Sequence, residues 1–397
     1  AALTGSTYFP NINGSLSGID APLTIYGNNG PAGPFVTNAV DTIYVDDSAD
    51  TANQTFNLTS ATVGGGGVLT GSGLGISGSI TYDAQVGNLN FQMGNGSNQI
   101  TIDGNDTYIQ TSIYGGRGNN TFIVDDYYAL QAPLQLYGGL NTFPGNSLII
   151  NGGILGNTFN ITGSSIVGLG VTASDALGYE QMQSLTINAG GSTIFNVNGD
   201  STPTWLYGGD GNDTFNVNSN VVSLSLAGGA GNDTYLINAN SGILTATGDT
   251  DAGSDSFTVQ ANSGTLTLTG GAGAVSFLIN GNSGTLTVNG GGGTDTFTVN
   301  ALSSPATLNG NGGTNTFTVN APLAAVLTVN GGNNRTDLLI INATTGNDYF
   351  NLTGTVISGL GANINYAGTN LFINAGPGNN TFQIAGTSGF TTEITGG

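Results

Sequence analysis

Residues Gly208 to Ala227 read GGDGNDTFNVNSNVVSLSLA. A glycine loop leads into an alternating strand. Phe215 and Val217 share one face and Thr214 and Asn216 the other, because successive side chains of a strand point to opposite sides. After the polar turn Asn218-Ser219-Asn220, Leu224 and Leu226 take the inner face, and Ser223 and Ser225 face water. The pattern then recurs, with loops opening at Gly208, Gly228, Gly248, Gly270, Gly290, Gly310 and Gly331, in steps of 20, 20, 22, 20, 20 and 21 residues. Repetition at this period means units that each cover the open face of the next.

Aligned on the loops, the inward positions form columns. The first reads Phe215, Tyr235, Phe257, Phe277, Phe297, Phe317, and the second Val217, Ile237, Val259, Ile279, Val299, Val319. On the return strand Leu224, Leu244, Leu266, Leu286, Ala306 and Leu327 coincide. The sequence therefore predicts an all-β fold: a parallel β-solenoid of the β-helix or β-roll kind, with about 20–22 residues per short coil and like side chains stacked ~4.8 Å apart. Each buried ring is expected to contribute roughly 1.5–3 kcal/mol. Asn218, Asn238, Gln260, Asn280, Asn300 and Asn320 form an amide column expected to hydrogen-bond along the axis.

Longer units interrupt the short coils. Phe56-Asn57-Leu58-Thr59, Phe159-Asn160-Ile161-Thr162 and Phe350-Asn351-Leu352-Thr353 each precede a Gly-Leu-Gly turn (Gly73–Gly75, Gly168–Gly170, Gly359–Gly361), then a tyrosine (Tyr82, Tyr179, Tyr366). These read as wider coils carrying an extra strand, with a shortened relative from Tyr8-Phe9. The expected organisation is 1–207 with mixed coils, 208–341 with regular short coils, and 342–397 with a wide coil and the last coils, forming one continuous rod. At Thr391–Gly397 no polar cap is read, so a neighbouring copy or further repeats are expected to cover that end.

Composition narrows the function classes. The 397 residues include 69 glycines, no cysteine, histidine or lysine, and two arginines (Arg117, Arg335) against 23 acidic residues, giving a net charge of −21. Such a polyanion repels nucleic acid and anionic membranes and attracts metal cations. No apolar run reaches the ~20 residues of a membrane span. The lysine-poor, Asn/Thr/Gly-rich surface points to an extracellular or cell-surface setting. Most acid–base and covalent chemistry lacks its usual side chains. Asp46-Asp47 and Asp125-Asp126 are adjacent on their strands, so each pair points to opposite faces and reads as a strand-end turn, not a catalytic pair. The chain is not expected to be an enzyme. The outward column Asn216, Leu236, Thr258, Leu278, Thr298, Thr318 is too irregular for an ice-lattice match.

The loops Gly208-Gly209-Asp210-Gly211-Asn212-Asp213-Thr214-Phe215 and Gly228-Gly229-Ala230-Gly231-Asn232-Asp233-Thr234-Tyr235 resemble the G-G-x-G-x-D-x-U-x nonapeptide of RTX (hemolysin-type) secreted proteins. That resemblance implies Ca²⁺ held between turns, with the sixth-position aspartate as ligand: Asp213, Asp233, Asp255 and Asp295, with Asp210 nearby. Two departures stand against it. These turns carry one loop each where RTX rolls carry two, and the sixth position is elsewhere Val275, Asn315, Asn120 or Asn380. Both readings stay open, metal ligation and hydrogen bonding of the side chain to the loop backbone. Over its whole length, through Gly-Asn-Asp-Thr-Phe stretches and Gly-Leu-Gly turns followed by tyrosine, the chain resembles the β-strand-repeat segments of very large bacterial surface and secreted proteins. What this implies is a structural, extracellular β-solenoid, right-handed, forming part of a stalk, adhesin or stacked filament. The alternative is a Ca²⁺-binding RTX-like module of a secreted adhesin or toxin-type protein.

Overall fold

The computed structural model describes residues 13–27, 41–60, 65–105, 109–125, 130–139, 145–153, 156–168, 176–248, 253–332 and 336–396. These form 36 strands and one 3-10 turn, Leu16–Gly18. Among the described residues no helix is long and apolar enough to cross a membrane. The fold is a β-solenoid in which successive strands alternate between two long, mostly parallel sheets. Contacts divide the described residues into two compact units. One draws on 1–155, 159–189 and 201–204, the other on 156–158, 190–200 and 205–397.

In the second unit the expected columns form in register. Phe215 pairs with Tyr235, Tyr235 with Phe257, and so on through Phe277, Phe297 and Phe317. The column begins one coil earlier than the repeat alignment places it, at Phe195, and passes to Leu339 after Phe317. Its rings lie 4.2–5.0 Å apart and 4–16° from parallel. The strand spacing of ~4.8 Å dictates this separation, and the pleat holds every ring at one orientation. In the facing sheet Leu224, Leu244, Leu266, Leu286, Ala306 and Leu327 stack as expected. Both columns are buried in the core.

The first unit obeys the same rule with a more varied core. Phe56, Ile100, Phe122, Leu148 and Leu185 form one column, and Val45, Phe91, Ile113, Leu136 and Tyr179 face it from the other sheet.

The wide coils differ from expectation. Each forms a three-strand antiparallel meander, so that two strands are added to the coil where one extra was expected: Thr55–Ser60, Gly67–Gly71 and Ser79–Tyr82; Thr158–Ile161, Ser165–Val167 and Ala176–Glu180; and Tyr349–Gly354, Val356–Ser358 and Ile364–Ala367. The third strand rejoins the stack in parallel, Ser79–Tyr82 on Pro22–Ile25 and Ile364–Ala367 on Leu327–Asn330. The turns explain the motif. Gly359 and Gly361 adopt φ of +104° and +85° around buried Leu360, a left-handed geometry that glycine takes without strain. The tyrosine closes the meander, Tyr179 donating its hydroxyl to the Thr162 carbonyl at 2.6 Å and Tyr366 to Gly354 at 2.8 Å. Tyr8-Phe9, Leu169-Gly170 and Arg335 lie outside the described residues.

Phe257 is sandwiched between Tyr235 and Phe277 at 4.2 and 5.0 Å. Phe257→Ala is therefore expected to lower unfolding stability by about 3–5 kcal/mol, read from urea unfolding. A loss below about 1 kcal/mol would show that the rings are not stacked in the core.

Candidate functional site

The loops stack at one corner of the coils, and the residue at the sixth loop position points inward from each. In the second unit this column runs Thr193, Asp213, Asp233, Asp255, Val275, Asp295, Asn315 and Asp337, all buried. In the first unit the corresponding residues are Asn98, Asn120 and Asn146, followed by Gln183. One contact repeats wherever the next residue of the column is polar: its side-chain oxygen accepts the backbone N–H at the same position one coil earlier. Thr193 N–H donates to Asp213 Oδ1 at 2.6 Å, Asp213 N–H to Asp233 Oδ1 at 2.7 Å and Asp233 N–H to Asp255 Oδ1 at 2.9 Å. Val275 N–H donates to Asp295 at 3.0 Å, Asn315 N–H to Asp337 at 2.7 Å and Asn98 N–H to Asn120 at 3.1 Å. A glycine loop leaves backbone N–H groups without strand partners, and these side chains satisfy them.

The second polar atom distinguishes the acids from the amides. Asn120 Nδ2 donates to the carbonyls of Gly118 at 2.6 Å and Gly138 at 3.3 Å, Asn146 Nδ2 to Gln181 at 3.2 Å, and Asn315 Nδ2 to Gly312 at 3.0 Å. The buried Oδ2 atoms of Asp213, Asp295 and Asp337 have no hydrogen-bond partner. Each lies against the first glycine of its own loop. A Cβ at Gly208 would overlap both Asp213 Oδ2 and the Gly228 carbonyl, and one at Gly290 would meet Asp295 Oδ2 and the Gly310 carbonyl. Burial pushes the Asp213 and Asp295 carboxyls up to about 6, opposed by the N–H bonds from Thr193 and Val275; the Asp337 charge adds to the rise at Asp295. Asp337 is raised by burial as well.

The structure thus gathers Asp213, Asp233, Asp255 and Asp295 into one column, whereas Asp210 lies exposed on the loop surface. Ca²⁺ takes about six to eight oxygens, several of them carboxylate. The residues here fit that ion poorly. One carboxylate oxygen in each of these coils is engaged by a backbone N–H, and among the described residues no three acidic side chains converge. The hydrogen-bonding alternative describes Oδ1 fully and leaves Oδ2 to be explained.

At the opposite turn the outer amide column bonds along the axis as expected, Asn238 Nδ2 to Asn218 at 2.8 Å, Asn280 to Gln260 at 3.0 Å, and Asn300 to Asn280 at 2.7 Å. A second, buried amide column, Asn220, Asn240, Asn262 and Asn282, joins at 2.6–2.7 Å. Sequence reasoning passed over it as part of the turn, although asparagine recurs there at the coil period.

The carboxylates of Asp46 and Asp47 bond to backbone N–H groups of nearby turns. Asp46 accepts the N–H groups of Gly14 and Ser48 at 3.0 and 2.9 Å, and Asp47 that of Leu16 at 2.9 Å. Burial, more than the nearby Asp50 and Asp46 charges, pushes the Asp47 carboxyl up to about 6. Asp125 accepts from Asn151, and Asp126 lies outside the described residues. An open groove of about 350 Å³ on the outer surface runs between Ile340, Phe372 and Glu393.

No protein-family model matches the chain, and a search of curated proteins finds no match.

Gly229 adopts φ +98°, and a Cβ there would overlap the Gly209 carbonyl of the preceding coil. Gly229→Ala is expected to cost at least about 1–3 kcal/mol, seen as a lower thermal midpoint. An unchanged midpoint would contradict the close approach of successive loops.

Proposed function

We propose that the chain is a structural module, a β-solenoid forming part of an extracellular or cell-surface stalk, adhesin or stacked filament. The observation that carries this reading is the use of the repeated positions. The aromatic column, both amide columns and the loop column all bond to their own counterparts in the next coil. The repeated chemistry of the chain therefore goes into joining coil to coil. A surface of net charge −21 keeps such an element soluble and disfavours sideways association.

The last described coil supports the same reading. Thr381–Thr387 pairs with Tyr349–Gly354, and Thr392–Thr395 with Asn370–Asn374; among the described residues neither has a strand on its other side. Its inward residues are correspondingly uncovered. Ile384 is 54% exposed and Phe382 and Ile394 are half-buried, while their partners one coil back, Leu352, Phe350 and Ile373, are at 0%. A flat edge with apolar side chains at strand spacing is a template for a further strand pair. On this reading a second copy of the chain docks against this edge in the same register.

Sedimentation velocity with negative-stain electron microscopy tests this on the chain as it stands. Concentration-dependent end-to-end assemblies are expected, and Phe382→Asp with Ile384→Asp should abolish them. Isolated monomers at every concentration that unfold on adding EGTA would replace this reading with that of a calcium-dependent module.

A further inference from the structure

The sixth loop position makes the same demand in every coil. Where it is occupied by asparagine or threonine, that side chain donates to a nearby backbone carbonyl. Asn98 Nδ2 donates to Gly94 and Gly96 at 2.8 and 3.0 Å, Asn120 Nδ2 to Gly118 and Gly138, and Thr193 Oγ1 to Gly191 at 2.7 Å. Asn146 Nδ2 and Asn315 Nδ2 do likewise toward Gln181 and Gly312.

The acids occupy this slot atom for atom. A Cβ on the first loop glycine would meet Asn120 Nδ2 and the Gly138 carbonyl at Gly115, or Asn315 Nδ2 and the Gly331 carbonyl at Gly310. At Gly208 and Gly290 it would meet Asp213 Oδ2 with the Gly228 carbonyl, and Asp295 Oδ2 with the Gly310 carbonyl. An ionised carboxylate offers these carbonyls only another acceptor, in a site from which water is excluded. Val275 fills the same position with an aliphatic side chain, so the slot accepts a neutral occupant.

We propose that Asp213 and Asp295 fill the slot as neutral carboxylic acids, Oδ2–H donating to the neighbouring loop carbonyl as the asparagine amides do, so that proton uptake locks successive loops together. Each takes one proton from solvent. The reaction is carboxylate plus proton to acid, with no other reactant.

Among the described residues no basic side chain faces either carboxyl. Asp213 is faced by Thr193 one coil before, Asp233 one coil after, and the Gly228 carbonyl. Asp295 is faced by Val275, Asn315, Phe297 and, one coil further, Asp337. The chain holds two basic residues; Arg117 sits in a loop of the first unit and Arg335 lies outside the described residues.

The direction of the pH effect follows. Burial raises both carboxyls from 3.8 to about 6 in the folded chain. A folded value above the unfolded one means that protonation stabilises. The contribution is complete below about 3.8 and is lost as pH rises through about 6.

Thermal unfolding of the full chain between pH 4.5 and 8, in EGTA, tests this. The midpoint of the parent chain is expected to fall by at least about 5 °C across that range. Asp213→Asn with Asp295→Asn should raise the midpoint at pH 8 and make the fall smaller, leaving the part that the other buried carboxyls, Asp47 and Asp337 among them, contribute. Asp210→Asn, which removes the same charge from an exposed position of the same loop, should change neither. Carboxyl-carbon NMR of the aspartate-labelled parent chain should show two resonances titrating near pH 6 that the double variant lacks. Titration of both groups near the ordinary aspartate value would overturn the proposal whether or not the variant folds. So would a double variant less stable than the parent at pH 8, or a parent midpoint at pH 8 restored by Ca²⁺ but not by protons.

Discussion

In-register stacking of like on like is the constraint on which the rest of the structure depends. A parallel strand fixes the position of the next at ~4.8 Å, and each inward side chain then meets the residue one coil away. Flat rings suit this distance, which is why the Phe195–Phe317 column stacks face to face at 4.2–5.0 Å where aromatic pairs in an ordinary core are free to tilt. Amides suit it as well, since each carries a donor and an acceptor and a column of them satisfies both. Charges do not. Two ionised carboxylates ~4.8 Å apart repel by about 3 kcal/mol at an effective dielectric of ~20. Three consecutive coils nevertheless place Asp213, Asp233 and Asp255 at one position.

That conflict gives the loop corner its character. A glycine loop lets successive backbones approach closely, but it leaves N–H groups and carbonyls facing inward. In every coil of this column but that of Val275 one polar side chain is placed to answer them. Asparagine does so outright. Aspartate answers the N–H with Oδ1 and can answer the carbonyls only in its neutral form. Acids and amides therefore alternate along one column without disturbing the fold, as Asp295, Asn315 and Asp337 do in the most regular stretch.

Much of this was legible in the sequence. The period, the aromatic and aliphatic columns and the outer amide column follow from alternation and loop spacing alone, because a solenoid writes each axial contact as a repeat. The start of the column at Phe195 was less visible, since the loop before it, Gly190-Gly191-Ser192-Thr193, has threonine where aspartate marks the later copies. The wide coils were read as carrying an extra strand, but the antiparallel pair that each adds was not, for a physical reason. A hairpin returning antiparallel within one sheet uses the same alternating pattern as a parallel strand, and only the buried tyrosine and the left-handed glycines distinguish the two. The aspartates share one loop position in the sequence, but residue type alone could not reveal that they point inward with one oxygen engaged by the preceding coil. Asp210 sits beside them in sequence and outside the column in space.

The most direct measurement of the stack is by NMR on a phenylalanine-labelled chain, through nuclear Overhauser effects between ring protons. The account predicts strong cross-peaks from Phe277 to both Phe257 and Phe297, each 20 residues away. Rings that report only contacts to residues close in sequence, or to solvent, would contradict it.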